Sequence, residues 1–521
     1  MNKPRTAHPT ALLVSTTIVF YGLDVVRSVY LYGRFGPTAL DPFYASYVVL
    51  EGAVNALMLT ALAAVLMPAL ADAAKTGGEP LAERLGSTVL LLALAVLSVA
   101  AACGVVFAPQ VLRLYGFQVT PGQALIARLV FGVLPFFGAD KVIRLLHERR
   151  GQFGPTVAAS LIVRVVFLAV VIGFASTLGV TGAGVGSLAA AGVTAAFLLA
   201  SYLLVGGRLR RPLALGHALV RRTGRRLLPL GIAGFFAQAP LVDSLFARRF
   251  FGDGQLSLLR LAWTIYSVPI ALFCVSVGTA VFPRMCEAAA ADDRGRLAGH
   301  IATALRRAMY FTLPAMFGLI VVARPLIRLA YERGEFEPHH TPIVAACLVA
   351  FSLGLAAAGA RPILARALFA LNRHAWYIGV DVLALVLNVG LNVLFAVVFG
   401  WGVVGLALST AVSWWGTMLV LSGLVRRFVD APTPALRPAL LKMAGAAAAM
   451  GVVCALAWKL TAGGTPGPPA ITAVRLAALV LFGAALYAVA TSALRLEEND
   501  DVRTLIRKFL GRARRPRNHT D

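Results

Sequence analysis

Charge is what this chain most conspicuously lacks. Only 14% of its 521 residues are Asp, Glu, Lys or Arg, where a soluble domain carries about a quarter. With 59% of residues apolar, neither a soluble globular domain nor a disordered chain fits. Acidic residues are scarcer still, 23 against 48 basic ones, and lysine supplies six of those 48. The five cysteines (Cys103, Cys274, Cys286, Cys347, Cys454) are scattered and form no CxxC pair, which excludes a disulfide framework and a zinc site. There is no GxxxxGK[ST] loop, no extramembrane domain large enough to hydrolyse a nucleotide and no catalytic constellation, so neither an ATPase nor another enzyme is expected. Adjacent His339 and His340 lie near Glu332, Glu335 and Glu337 in one short loop. Without a second spaced cluster they read as solvated side chains, not as metal ligands. No cofactor is expected. The first apolar stretch carries Asp24 and Arg27 and no small-residue cleavage site, so it reads as a span, not a removable leader.

What the chain has in abundance is apolar runs of about 20 residues, each long enough to cross a ~30 Å hydrocarbon layer. They predict an all-α polytopic membrane protein of about fourteen transmembrane helices. The spans fall at 11–32, 43–70, 87–109, 122–145, 156–177, 183–206, 228–250, 257–282, 308–331, 342–369, 376–399, 402–424, 439–460 and 470–494. The loops alternate in charge. Basic clusters sit at Lys3 and Arg5, Arg149 and Arg150, the seven arginines of 208–226, Arg294 to Arg307, Arg373, Arg426 and Arg427, and the 495–517 tail. The intervening loops are short and nearly neutral. By the positive-inside rule the basic loops and both termini are cytoplasmic. That rule accounts for the net charge of +25 without nucleic acid.

The chain also repeats itself. Asp24 precedes GRFG (33–36) and Pro68 closes the next span; about 215–219 residues later Asp243 precedes RRFFG (248–252) and Pro283 closes the span after it. Leu112-Arg113-Leu114 corresponds to Ile327-Arg328-Leu329, and GAGVGSLAAAG (182–192) to GVVGLALSTAV (402–412). An offset of six helices keeps both copies in one orientation, as parallel repeats about an axis along the membrane normal. The expected organisation is a six-helix lobe over 1–206, a basic cytoplasmic linker over 207–227 that also meets anionic headgroups, and a second six-helix lobe over 228–424. Two extra helices over 425–495 and a basic tail over 496–521 complete it.

Ionisable residues within spans cost roughly 2.5–3.5 kcal/mol each at the bilayer centre. They therefore face a watered cavity or one another, and arginines outnumber carboxylates among them. Asp24 and Arg27, three apart on a helix, can pair internally; Arg164 and Arg475 read equally well as interfacial. A positive cavity suits an anionic cargo, and the guanidinium fork suits phosphate oxygens.

Specific stretches resemble a known family. LDVVRSVYLYGRFGPTALDPFY (23–44) resembles the first-helix signature of the MurJ/MviN lipid II flippases, LGxxRDxxxAxxFGxxxxxDAFF. Residues 243–283 resemble its seventh and eighth helices, with D-x-x-x-A, G-x-x-S-x-L and a closing FP. YERGEFEPHHT (331–341) is similar to its exit motif LFERGxFxxxDT, and Phe369-Ala370 to part of the following FYA. The resemblance implies a flippase of the multidrug/oligosaccharidyl-lipid/polysaccharide superfamily that moves an undecaprenyl-diphosphate-linked saccharide, lipid II foremost, between leaflets by alternating access. It places Arg27 at a cavity arginine that engages the diphosphate, Asp41 at the acidic position after the first helix, and Asp243 at the acidic start of the outer half of helix seven. Three departures stand out. The family's arginine pair and EG motif on helix two meet Val54 and Leu59, with Glu51 and Asn55 nearby; its Asp-Arg pair on helix eight becomes Trp263-Thr264, one turn from Arg260; and its DxxTP becomes NRHAW (372–376).

The expected substrate-binding set is therefore Arg27, Asp41, Arg260, Asp243, Asp24 and Glu51. Arg27 and Arg260 hold the diphosphate, and Asp24, Glu51 or Asp243 serve a coupling ion. The expected partners are the lipid-linked oligosaccharide and membrane lipids, the expected state a monomer, and the expected location the bacterial inner membrane. Another polyprenyl-linked glycan, a drug exporter and a non-transporting scaffold of the same fold are the alternative readings.

Overall fold

The computed structural model describes residues 9–57, 59–213, 215–225, 227, 239–429, 436–462 and 468–499. The first turns of the seventh expected span and the basic tail past Asn499 lie outside them. Among the described residues there are helices and no strands. The bilayer logic explains this: a chain this poor in polar side chains must satisfy its backbone within each segment.

The first half contains α1 (Pro9–Leu57), α2 (Leu59–Leu114), α3 (Pro121–Phe131), α4 (Leu134–Arg149), α5 (Gly154–Gly173), the short α6 (Ala175–Leu178) and α7 (Thr181–Leu204). The second contains α8 (Ala239–Phe251), α9 (Gln255–Pro269), α10 (Ser276–Ala290), α11 (Arg294–Tyr331), α12 (His340–Leu353), α13 (Leu355–Ala370), α14 (His374–Leu391), α15 (Gly402–Phe428), α16 (Leu436–Ala462) and α17 (Pro469–Ala493). Nine described helices are long and apolar enough to cross a membrane, ten when α12 and α13, bent by 43° at one break, count as a single span.

The expected fourteen differ from that count because the first turns of the seventh span lie outside the described residues, the fourth is divided between α3 and α4, and the first spans run together. α1 runs 49 residues and α2 runs 56, each much longer than one crossing at 1.5 Å per residue. The expected loops here are bends inside continuous helix. Gly36 (φ 72, ψ 166) breaks α1, and Gly77 with Gly78 (φ 70, ψ −177) breaks α2. Pro269 precedes a π-helical turn over Ile270–Val275, where its missing N–H releases the backbone from the regular ladder. A second π-helical turn covers Asn392–Val398.

The described chain divides into two compact units. One comprises Met1–Leu261, Tyr331–His340 and Asp381–Ser409; the other comprises Ala262–Ala330, Thr341–Val380 and Thr410–Asp521. In the first unit, α5 lies along α7, and α2 packs on α3 and α4. Small residues permit these approaches, since apolar lipid leaves van der Waals fit to drive helix packing. A methyl at Gly184 would lie 3.2 Å from Leu129, and one at Gly104 2.8 Å from Phe131. The linker after α7 is strapped to α2. Buried Glu83 accepts from Arg150 (3.1 Å) and Arg210 (2.6 Å), while the backbone N–H of Arg210 and Leu213 donate to Ser87 and Thr88. The second unit is built on a core that runs from Val281 and Met285 through Ile363 and Leu421 to Met443 and Leu496. Arg306 pairs there with Glu498 at 2.6 Å, just past α17.

Candidate cargo-binding site

Two stripes of α1 face the protein. Ser28 and Leu31 are buried, whereas Val19 and Val26 point outward at more than half exposure. Asp24 and Arg27 share the inward side, one helical turn apart, with Arg27 Nη2 4.0 Å from Asp24 Oδ1. Asp24 has a closer partner, however. Arg164 of α5 donates to Asp24 Oδ2 through Nη2 at 2.9 Å and through Nε at 3.2 Å. Arg164 is thus not splayed to an interface: it sits on the stripe of buried Phe167 and Val171, while Leu161, Val165 and Ile172 take the exposed face. Aromatic faces shield both cations, Phe167 lying 5.3 Å from the Arg27 guanidinium and Phe20 4.9 Å from that of Arg164.

Across from them, Arg260 of α9 donates to Glu51 Oε2 at 2.5 Å. The link between the two pairs is α1 itself: Phe167, over which Arg27 lies, is 6.5 Å from Phe43, and Phe43 is 5.8 Å from Tyr47, one helical turn before Glu51. Arg27 and Arg260 also both act on Tyr44. Four of the six residues expected at the site therefore share one space within the first unit. With Arg164 included, three guanidiniums face two carboxylates, an excess of one positive charge. Arg27, Arg164 and Asp24 keep 31%, 23% and 18% of their side-chain surface.

Asp41 and Asp243 lie elsewhere, each taken up by neighbouring protein groups. Asp41 is 1% exposed. It accepts from the backbone N–H of Gly254 (2.6 Å) and Ser257 (2.9 Å) and from the Ser257 hydroxyl (2.7 Å). Burial pushes its carboxyl up to about 6, against the pull of those hydrogen bonds and Arg248. Around it, three motifs close into one junction. Tyr32 donates to the Ser257 carbonyl, Ser28 and Tyr331 hydroxyls meet at 2.7 Å, and Glu335 N–H donates to the Gly33 carbonyl at 2.9 Å. The geometry demands glycine at Gly334 (φ +59), where a methyl would fall 2.0 Å from the Gly33 oxygen. The GRFG, FGDG and ERGEF stretches thus owe their residue types to one another. Asp243 is also buried and accepts from the Asn392 amide at 2.7 Å; Asn392 in turn contacts Asn388 and Ser409.

The second unit carries an apolar cavity of about 500 Å³ between α9, its π-helical turn, α11, α16 and α17. Phe273, Phe311, Pro314, Met450 and Tyr487 are among the residues that line it.

The apolar helices, with guanidiniums gathered among them, define a polytopic helical membrane protein, and solved structures share its fold. The fold matches a multidrug resistance MATE family transporter of the MOP superfamily in its inward-facing conformation (14% identity, TM-score 0.67, covering 81% of this chain and 95% of that one). It also matches the structure described as "Lipid II flippase MurJ, inward closed conformation" (20% identity, TM-score 0.75, 93% and 98%). Residues 39–467 match the family model "Lipid II flippase MurJ", and the chain belongs to that family. The Burkholderia cenocepacia lipid II flippase MurJ is 26% identical over 428 residues, 77% of this chain and 80% of that protein. The Thermosipho africanus protein of that name is 32% identical over 158 residues, 30% of this chain and 31% of that one. A probable lipid II flippase MurJ of Vibrio cholerae is 28% identical over 185 residues, 36% and 35%. The chain thus spans about a third of the length of the last two relatives.

Arg164 was the residue that sequence reasoning left unplaced. Its signal was present, an arginine on the stripe of Ser160 and Phe167, but its partner lies 140 residues away.

Proposed function

We propose that this chain is a flippase that carries an undecaprenyl-diphosphate-linked saccharide, lipid II foremost, from the inner to the outer leaflet by alternating access. The observation that carries the reading is the gathering of Arg27 and Arg260 along one stretch of α1, at Asp24 and Glu51. Guanidinium forks bind phosphate oxygens in pairs and stay charged at any physiological pH. Asp24 and Glu51 face them, and the diphosphate takes over those contacts when it enters.

The apolar cavity of the second unit suits the polyprenyl chain, since its lining is almost wholly hydrocarbon and aromatic. Energy comes from an ion gradient or the membrane potential. Asp243, with the amide oxygens of Asn388 and Asn392 and the Ser409 hydroxyl, is the oxygen-rich cluster that serves a monovalent cation. The chain does no covalent chemistry on its cargo. It works as a monomer in the bacterial inner membrane with both termini cytoplasmic, and the lobes 1–206 and 228–424 rock against one another. The linker 207–227 and the tail 496–521 stay on the cytoplasmic side of that movement, and the two extra helices of 425–495 extend the hydrophobic groove toward the bilayer.

One observation favours a second cargo, another polyprenyl-linked glycan. The positions expected to carry arginines on helix two and an Asp-Arg pair on helix eight hold Val54, which is buried, and Trp263-Thr264. Depletion of the protein in its host decides between them: the lipid-linked precursor that accumulates on the cytoplasmic leaflet is the cargo. Lipid II is the expected species. Accumulation of a different glycan transfers the assignment, and accumulation of none overturns transport.

A further inference from the structure

Asp41 and Asp24 both lie beside arginine, one buried and one partly exposed, and the contrast between them is informative. Asp41 receives three hydrogen bonds of 2.9 Å or less and is sealed from solvent. Asp24 splits its two oxygens between two cations, Oδ2 to Arg164 at 2.9 Å and Oδ1 to Arg27 at 4.0 Å, and stays 18% exposed. The first arrangement is a structural joint. The second is the geometry in which a single anionic group is held between two forks, with one side loosely engaged and open.

Arg164 is also prepared for this position by more than its ion pair. Its Nη1 donates to the Ser160 carbonyl at 2.7 Å, and its plane lies over Phe20. Both contacts hold the guanidinium in place whether or not Asp24 is its partner. Arg27 is likewise steadied by Phe167. Two pre-oriented guanidiniums with one carboxylate between them carry a surplus positive charge. A diphosphate, with more oxygens and more charge than a carboxylate, satisfies such a pair better.

We infer that Asp24 is a displaceable stand-in for the cargo's phosphate, and that Arg164 is a third cargo-binding arginine which passes from Asp24 to the diphosphate when the cargo enters. The inference rests on the flippase reading and adds to it a residue on α5 and an exchange step. Asp24 keeps the site from standing open and doubly charged in a membrane interior, where unpaired charge is costly. It also sets the affinity, because every cargo molecule must compete with it.

The test compares two substitutions that break the same ion pair. Purified full-length protein in detergent is titrated with undecaprenyl diphosphate, using Asp24→Asn, Arg164→Gln, Arg27→Gln and Arg260→Gln beside the unaltered chain. Displacement predicts opposite signs. Asp24→Asn tightens binding, whereas Arg164→Gln weakens it by about tenfold or more, the loss expected for a charged hydrogen bond. A purely structural Asp24–Arg164 pair predicts the same sign for both, and that result overturns the inference. So does unchanged affinity in Arg164→Gln while Arg27→Gln weakens binding. If Arg27→Gln and Arg260→Gln also bind as the parent does, the cargo site itself is misplaced and the flippase reading of it falls with the inference. Asp24→Ser is run alongside, so that a fold defect peculiar to the amide does not decide the outcome.

Discussion

At the scale of single residues, the account turns on which charges are available and which are committed. Arg27 lies beside Asp24 and Arg260 pairs with Glu51, so Arg27→Gln or Arg260→Gln is expected to cost about 2 kcal/mol of cargo binding. Transport in reconstituted vesicles should fall by tens of fold with normal protein abundance. Unchanged transport would place the cargo elsewhere. Asp41 belongs to the other category. Its three donors require an acceptor, and an amide at that position turns an N–H toward them, so Asp41→Asn should lower the unfolding temperature in detergent despite removing a buried charge. The carboxyl titrates near 6 in the folded chain and near 3.8 when unfolded. The folded state therefore holds the proton more tightly, and this group's contribution to stability declines as pH rises from about 4 to 6 and is constant above. Unfolding midpoints of the parent and Asp41→Asn, measured at pH 4, 5, 6 and 7, should show that extra decline only in the parent. Charge of this kind was readable in the chain before any coordinates: Asp24, Arg27, Glu51 and Arg260 stood out because ionisable groups in apolar runs need a reason to be there. What could not be read was the pairing. Glu51 and Arg260 lie 209 residues apart, and Asp24 and Arg164 140 apart, separations that no spacing rule reaches.

At the scale of elements, breaks matter as much as helices. The apolar runs located the spans closely, since 183–206 and 470–494 are the helices Thr181–Leu204 and Pro469–Ala493 within two residues. The run lengths could not disclose that two expected loops are kinks within continuous helix, because a glycine with positive φ leaves no mark on hydropathy. Gly334 illustrates the consequence. Its backbone passes so near Gly33 that any side chain must push the two segments of the junction apart. Gly334→Ala should therefore destabilise the junction by about 2 kcal/mol or more. Faster amide exchange over residues 251–257 and 331–337 would register it; unaltered exchange in both segments would show that the junction tolerates the change. The linker strap offers a parallel case. Glu83 is buried between Arg150 and Arg210, and Glu83→Ala leaves those two cations without their shared partner. An expected loss of about 2 kcal/mol, reduced from a fully buried pair because Arg210 is 39% exposed, should appear as earlier proteolytic cleavage in 207–213. Cleavage at the parent's rate would mean that the backbone contacts to Ser87 and Thr88 suffice.

At the scale of the whole molecule, scarcity of charge sets the fold and the remaining charge sets the function. A chain with this much apolar surface folds as helices in lipid, and the guanidiniums it keeps inside lie against Asp24 and Glu51. The family follows from residues 39–467; the proposed cargo rests on the chemistry that the arginines permit. The most direct measurement is transfer of fluorescent lipid II across vesicles that contain the purified chain. Transfer well above that of protein-free vesicles, lost in Arg27→Gln, is the predicted result. Transfer at the protein-free rate, from folded protein under an imposed ion gradient and membrane potential, would contradict the assignment of lipid II as cargo.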